Sequence, residues 1–145
     1  MTLTTDTRAC MQSAPFPRYI WGLVALYCAA SLTHFVHNAE YIAFYPNMPH
    51  WITRETVYLA WLGITLPGVL GIAFVSIGWR ALGAALLAAY GAFGLDGLGH
   101  YTLALCSQHT LAMNFSIWFE VVAGATLAMA AAILCKRTIW YGRMA

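Results

Sequence analysis

The sequence predicts an all-α integral membrane protein, a four-transmembrane-helix up-down bundle with both termini cytoplasmic. Three observations predict it: a composition too apolar for water, four stretches long enough to cross a bilayer, and basic residues gathered on one side. Of the 145 residues, 61% are hydrophobic and 8% charged, and the mean hydropathy is +0.69. Soluble domains are about half apolar and a quarter charged, so this chain cannot cover a water-facing surface. The formal charge of +2 gives nucleic acid no footing, and no basic run is interleaved with aromatics.

The elements follow in chain order. Residues 1–17 read as a cytoplasmic tail without an apolar core of their own, which makes the next segment a retained first span rather than a signal peptide. A single transmembrane domain then covers residues 18–137, and residues 138–145 form a second cytoplasmic tail. Stretches of about twenty apolar residues suffice to cross a hydrocarbon core of about 30 Å. Four are present, at about 18–45, 56–77, 81–105 and 110–135. The first stops at Pro46, the second carries Pro67 and Gly68 as a possible kink, and "KR" ends the fourth. Connections as short as "GWR" and "CSQH" make neighbours antiparallel. Small residues in "GAALLAAYGAFG" and "AGATLAMAAA" allow the third and fourth spans to approach closely.

Orientation comes from the basic residues. Arg8, Arg18, Arg80, Lys136, Arg137 and Arg143 fall on one side of this topology, and only Arg54, beside Glu55, on the other. The positive-inside rule places both termini in the cytoplasm, and a bacterial inner membrane is the expected location. Trp21, Trp79 and Trp140 mark that interface and Trp51 the opposite one. The four cysteines, Cys10, Cys28, Cys106 and Cys135, are scattered without a CxxC pair. Neither a disulfide framework nor a thiolate metal site is expected from them.

Against this apolar background the polar residues stand out. His34, Asp96 and Glu120 each lie sixteen residues in from a basic flank, Arg18, Arg80 and Lys136. In α-helices that is about 24 Å, so the three share one depth. His37 and His100 lie three and four residues further out. On a helical wheel His34, His37, Asn38 and Tyr41 share a face, with Glu40 to one side. Asp96 and His100 form an i, i+4 pair beside Gly97 and Gly99, and Glu120 lines up with Ser116, Met113 and, if the helix extends so far, His109. A carboxylate in mid-membrane costs about 2.5–3.5 kcal/mol on insertion scales, so these groups are expected to face one another.

The residue types suit several chemistries. The first expectation is a metal-dependent enzyme acting on a small or lipophilic substrate. His34, His37, Asp96, His100 and Glu120 would hold a divalent zinc or iron, with Asn38, Glu40 and Tyr41 orienting the ligands. The second is a metal-independent acid–base isomerase of a lipophilic substrate, with Asp96, Glu120 and Glu40 as its catalytic carboxylates. The third is a binding or transport module, including a haem held by His37 and His100. A purely structural cluster that fixes helix register is the plain alternative. His50 and Glu55 read as loop residues, and His109 as either a site residue or a loop residue. The expected partners are the lipid bilayer, a small lipophilic or metal ligand, and further copies of the chain in a homo-oligomer.

Overall fold

The computed structural model describes residues 16–144. Most of the expected first tail, with Arg8 and Cys10, lies outside the described residues. The elements are α1 (Arg18–Glu40), α2 (Arg54–Ser76), α3 (Arg80–Ala92), a 3-10 segment (Phe93–Gly99), α4 (His100–Leu103) and α5 (Leu111–Met144). Short 3-10 turns occupy Ile42–Phe44 and Cys106–Gln108. Four stretches, Arg18–Glu40, Arg54–Ser76, Arg80–Leu103 and Leu111–Trp140, are long and apolar enough to cross a membrane.

Local chemistry sets the boundaries. Proline excludes the α conformation from the residue before it, and Tyr45, preceding Pro46, is extended at φ −73°, ψ 126°. The first helix has already ended at Glu40, and the chain folds back through a single 3-10 turn, short of the expected end at residue 45. Helix α2 opens with a capping box, in which the Thr53 hydroxyl accepts from the Thr56 amide and the Thr56 hydroxyl from the Thr53 amide. Reciprocal caps of this kind satisfy donors that a helix start leaves open. Pro67 lies inside α2, yet the helix continues to Ser76. The turn to α3 requires Gly78, whose φ of 92° is one that side chains disfavour. Helix α5 continues through Met144, so residues after Lys136 are helical.

The helices pack in a ring: α1 on α2, α2 on α3, α3 on α5, and α5 back on α1, with little contact across the diagonal between α1 and α3. Facing residues run in opposite directions along each pair. Tyr58 meets Glu40 while Trp61 meets Ser31, and Gly68 meets Tyr90 while Gly71 meets Leu87. The arrangement is antiparallel throughout. Both described ends of the chain lie at one end of the bundle, here the terminal end, and the 41–53 and 104–110 connections form the loop end.

Two kinds of packing hold the ring together. In the terminal half, Ile20, Val24, Tyr27, Leu87, Leu127 and Ala131 form a buried apolar cluster. Between the third span and α5 the backbones touch. A Cβ on Gly124 would sit 2.5 Å from the Gly91 carbonyl oxygen, and one on Gly91 would sit 2.6 Å from the Ala128 nitrogen. Small residues of this kind admit the close approach on which helix association in lipid depends. The outward faces are apolar as well: Leu59, Leu62, Leu66 and Val69 on α2 and Phe115, Val122 and Met129 on α5 are all exposed.

Candidate functional site

The loop half of the bundle contains the polar cluster. Helix α5 presents Ser116 and Glu120, one turn apart on the same face, and both are buried. Helix α1 presents His34 opposite them, 2% exposed. His34 Nδ1 lies 3.3 Å from Ser116 Oγ, and His34 Nε2 lies 3.6 Å from Glu120 Oε2. The Ser116 hydroxyl donates to the Met113 carbonyl at 2.9 Å. Its oxygen can therefore accept from His34 Nδ1, and in that tautomer the Nε2 lone pair faces the Glu120 carboxyl.

Glu120 is the least ordinary group in the molecule. It is 1% exposed, and neither carboxyl oxygen has a hydrogen-bond partner among the described residues. A buried charge in that state would cost several kcal/mol. A proton resolves the conflict with His34. Either Glu120 carries it and faces a neutral ring, or the imidazole takes a second proton and pairs with a carboxylate.

The third span opposes Glu120 with glycine rather than with Asp96. Between Phe93 and Gly99 it winds as a 3-10 helix, with about three residues per turn. Gly91, Gly94 and Gly97 recur at that period. A Cβ on Gly94 would lie 3.0 Å from the Glu120 carbonyl oxygen, and one on Gly97 would lie 3.5 Å from Glu120 Oε2. Tight winding turns Asp96 off the face that a continuous α-helix would give it, and Asp96 is exposed. It makes no hydrogen bond with Glu120. The Asp96–His100 pair likewise straddles the change from 3-10 to α geometry.

His100 joins the cluster from its own side. Its ring lies 5.2 Å from that of His34, edge to face, and its Nε2 is 3.2 Å from the Asn38 amide nitrogen. His109 is buried, with Nδ1 3.0 Å from the Leu105 carbonyl oxygen and its ring 6.2 Å from His100. His37 turns toward Tyr45, its Nδ1 2.9 Å from the hydroxyl. Tyr41 is exposed and packs on His37. Glu40 lies apart from all of these. It binds Arg54 at 2.8 Å and accepts from the Tyr58 hydroxyl at 2.7 Å, tying α1 to the start of α2. His50 and Glu55 are exposed, as expected of loop-flanking residues.

The structure thus brings together His34, His100 and Glu120 of the expected ligands, sets His37 at the rim, and leaves Asp96 and Glu40 outside the core. Among the described residues, no group of three or more His, Cys, Asp or Glu side chains is arranged so as to hold a metal ion.

One residue, Tyr45, was given no role by sequence. It is 4% exposed, its hydroxyl lies against His37, and its ring lies 4.9 Å from His100. Burial pushes the Tyr45 hydroxyl up to about 12, so it keeps its proton at neutral pH. The signal was Pro46, which holds Tyr45 in extended backbone after the 3-10 turn. Alongside lies a groove of about 550 Å³ lined by His37, Tyr41, Phe44, Thr110, Ala112 and Met113.

No protein-family model, curated protein or solved structure matches the chain.

Proposed function

We propose that this chain is a multi-pass integral membrane protein whose His34–Glu120 pair performs acid–base chemistry on a small or lipophilic molecule. Four apolar helices with apolar outward faces support the membrane assignment. Arg18, Arg80, Lys136 and Arg137 at the terminal end, against Arg54 at the loop end, support a cytoplasmic location for both termini. The polar cluster then belongs to the non-cytoplasmic half.

The observation that carries the chemical reading is the Glu120 carboxyl, buried without a hydrogen-bond partner and facing an imidazole nitrogen 3.6 Å away. A carboxyl and an imidazole nitrogen so placed can hand a proton to a bound molecule or take one from it, the two roles that general acid–base catalysis requires. His34 is oriented for the task by Ser116, as catalytic imidazoles commonly are by a partner on their second nitrogen. A lipophilic substrate reaches such a site laterally from the bilayer. Its labile C–H or O–H proton is exchanged with the pair.

Deuterium transfer tests this. Proteoliposomes containing the chain and a total lipid extract are incubated in D2O, and the lipids are analysed by mass spectrometry. Wild type should introduce deuterium into a specific lipid, and Glu120→Gln should abolish the label. Equal labelling by both proteins, or none by wild type, overturns the reading. Labelling lost to a chelator and restored by zinc or iron would replace it with the metal-dependent enzyme.

A further inference from the structure

Resting on the acid–base reading, we propose that the groove between α1 and α5 at the loop end binds an uncharged lipid whose flat head carries a carbonyl oxygen. His37, Tyr41 and Phe44 line it from the end of α1 and the turn that follows. Thr110, Ala112 and Met113 line it from the start of α5. Its volume of about 550 Å³ falls within the roughly 300–1,000 Å³ of small-molecule sites. The outer rim is open, since Tyr41, Phe44 and Ala112 are exposed. Phe115, three residues on from Ala112 and also exposed, continues the apolar surface along α5, where a hydrocarbon tail would lie.

The head group follows from what the groove offers. Phe44, Tyr41 and His37 form a wall of rings, with centroids 6.4 Å and 4.8 Å apart in turn. Flat conjugated groups pack well on such a wall. His37 Nδ1 lies 2.9 Å from the Tyr45 hydroxyl oxygen. When that hydroxyl donates, Nε2 carries the ring hydrogen and can give it to a ligand oxygen. Among the described residues, those lining the groove carry no fixed charge. Arg54, at the loop end, is held by Glu40 at 2.8 Å. A second groove of equal volume, at the terminal end, contains Lys136 instead. An anionic head would therefore lose water at the loop end without gaining a counter-charge, a cost that a carbonyl accepting one hydrogen bond escapes.

Met113 joins the groove to the buried pair. It is 2% exposed, lines the groove, and shares a face of α5 with Ser116 and Glu120. Its carbonyl accepts from the Ser116 hydroxyl at 2.9 Å, and Ser116 Oγ lies 3.3 Å from His34 Nδ1. His34 Nε2 in turn lies 3.6 Å from Glu120 Oε2. The Met113 side chain, unbranched and adaptable, is thus a wall common to ligand and pair. A carbonyl also acidifies the C–H bonds beside it, which are the kind of bond whose proton the pair would exchange.

Equilibrium binding of a tritiated decyl cyclohexenone to the detergent-solubilised full chain tests the site. Wild type should bind it saturably. Ala112→Trp fills the groove from the exposed side of α5 and should weaken binding roughly tenfold or more. Ala112→Leu takes its place if the tryptophan variant does not fold. His37→Phe keeps a ring but loses the donor, and should weaken binding about threefold to tenfold, as loss of one hydrogen bond does. Ala85→Phe, in the terminal groove, should bind as wild type does, and phosphatidylglycerol should compete poorly. Binding that is unsaturable, indifferent to both Ala112 variants, or displaced equally well by phosphatidylglycerol overturns the assignment and leaves acid–base chemistry to the deuterium experiment. Saturable binding lost on filling the groove, without deuterium transfer by wild type, keeps the lipid site and removes the acid–base reading.

Discussion

The two halves of the bundle are built from the same four spans and differ in almost everything else. In the terminal half, α3 is a regular helix whose glycines touch the backbone of α5, and the centre is an apolar cluster. In the loop half, the third span tightens into a seven-residue 3-10 segment, α1 stops at Glu40, and the centre holds His34, His109, Ser116 and Glu120. Runs of 3-10 helix that long are uncommon and often accompany a function. The comparison teaches that close backbone packing and the His–carboxyl cluster are separated along the bundle axis. Close packing at one end fixes the helices, and the other end can then hold polar groups that destabilise it.

The strongest way to break the comparison is to disrupt the terminal-side contact. Gly124→Val places a side chain where the Gly91 carbonyl stands 2.5 Å from the would-be Cβ. Backbone cannot yield cheaply, so destabilisation of about 1–3 kcal/mol or more is expected from unfolding in detergent. Gly63→Ala, in α2 with nothing within 4 Å, should instead be neutral or stabilising by about 0.5–1 kcal/mol.

A second substitution would make the loop half resemble the terminal half. Glu120→Met replaces a buried, unbonded carboxyl with an apolar side chain of similar size. Removing such groups is often neutral or stabilising by about 1–4 kcal/mol. A raised unfolding midpoint together with lost deuterium transfer would show a site held at the expense of stability. A lowered midpoint would make Glu120 a structural group.

Smaller effects sharpen the picture. Ser116→Ala removes the hydrogen-bond partner of His34 Nδ1 and should cost about 1–2 kcal/mol in the same unfolding assay. Glu40→Gln weakens an exposed pair with Arg54. It should cost less than about 1 kcal/mol, a cost that shrinks as salt is added. A larger, salt-independent loss would mean that Glu40 belongs to the buried cluster after all.

Much of this architecture was legible in the chain, because lipid-sized apolar runs and short connections permit few arrangements. The shared depth of His34 and Glu120 was also readable, since both lie in unbroken α-helix where residue number converts directly to height. The same count misjudged Asp96. Its face depends on the winding of residues 93–99, which glycines at period three adopt to fit against α5. Glu40 was misread for a related reason: its partners, Arg54 and Tyr58, reach it from another helix. Tyr45 was hidden because a residue beyond a helix end has no wheel position to read.

Sequence by itself determined the number of helices long and apolar enough to cross a membrane, their apolar exteriors and the helices that carry His34, Ser116 and Glu120. These follow from composition and from a fixed rise per residue. Tertiary structure decided which polar groups meet: Glu120 with His34 and Gly97, His37 with Tyr45, Asp96 with none of them. Meeting depends on the rotation of each helix about its axis, and rotation is set by the closest packing between neighbours rather than by any one segment.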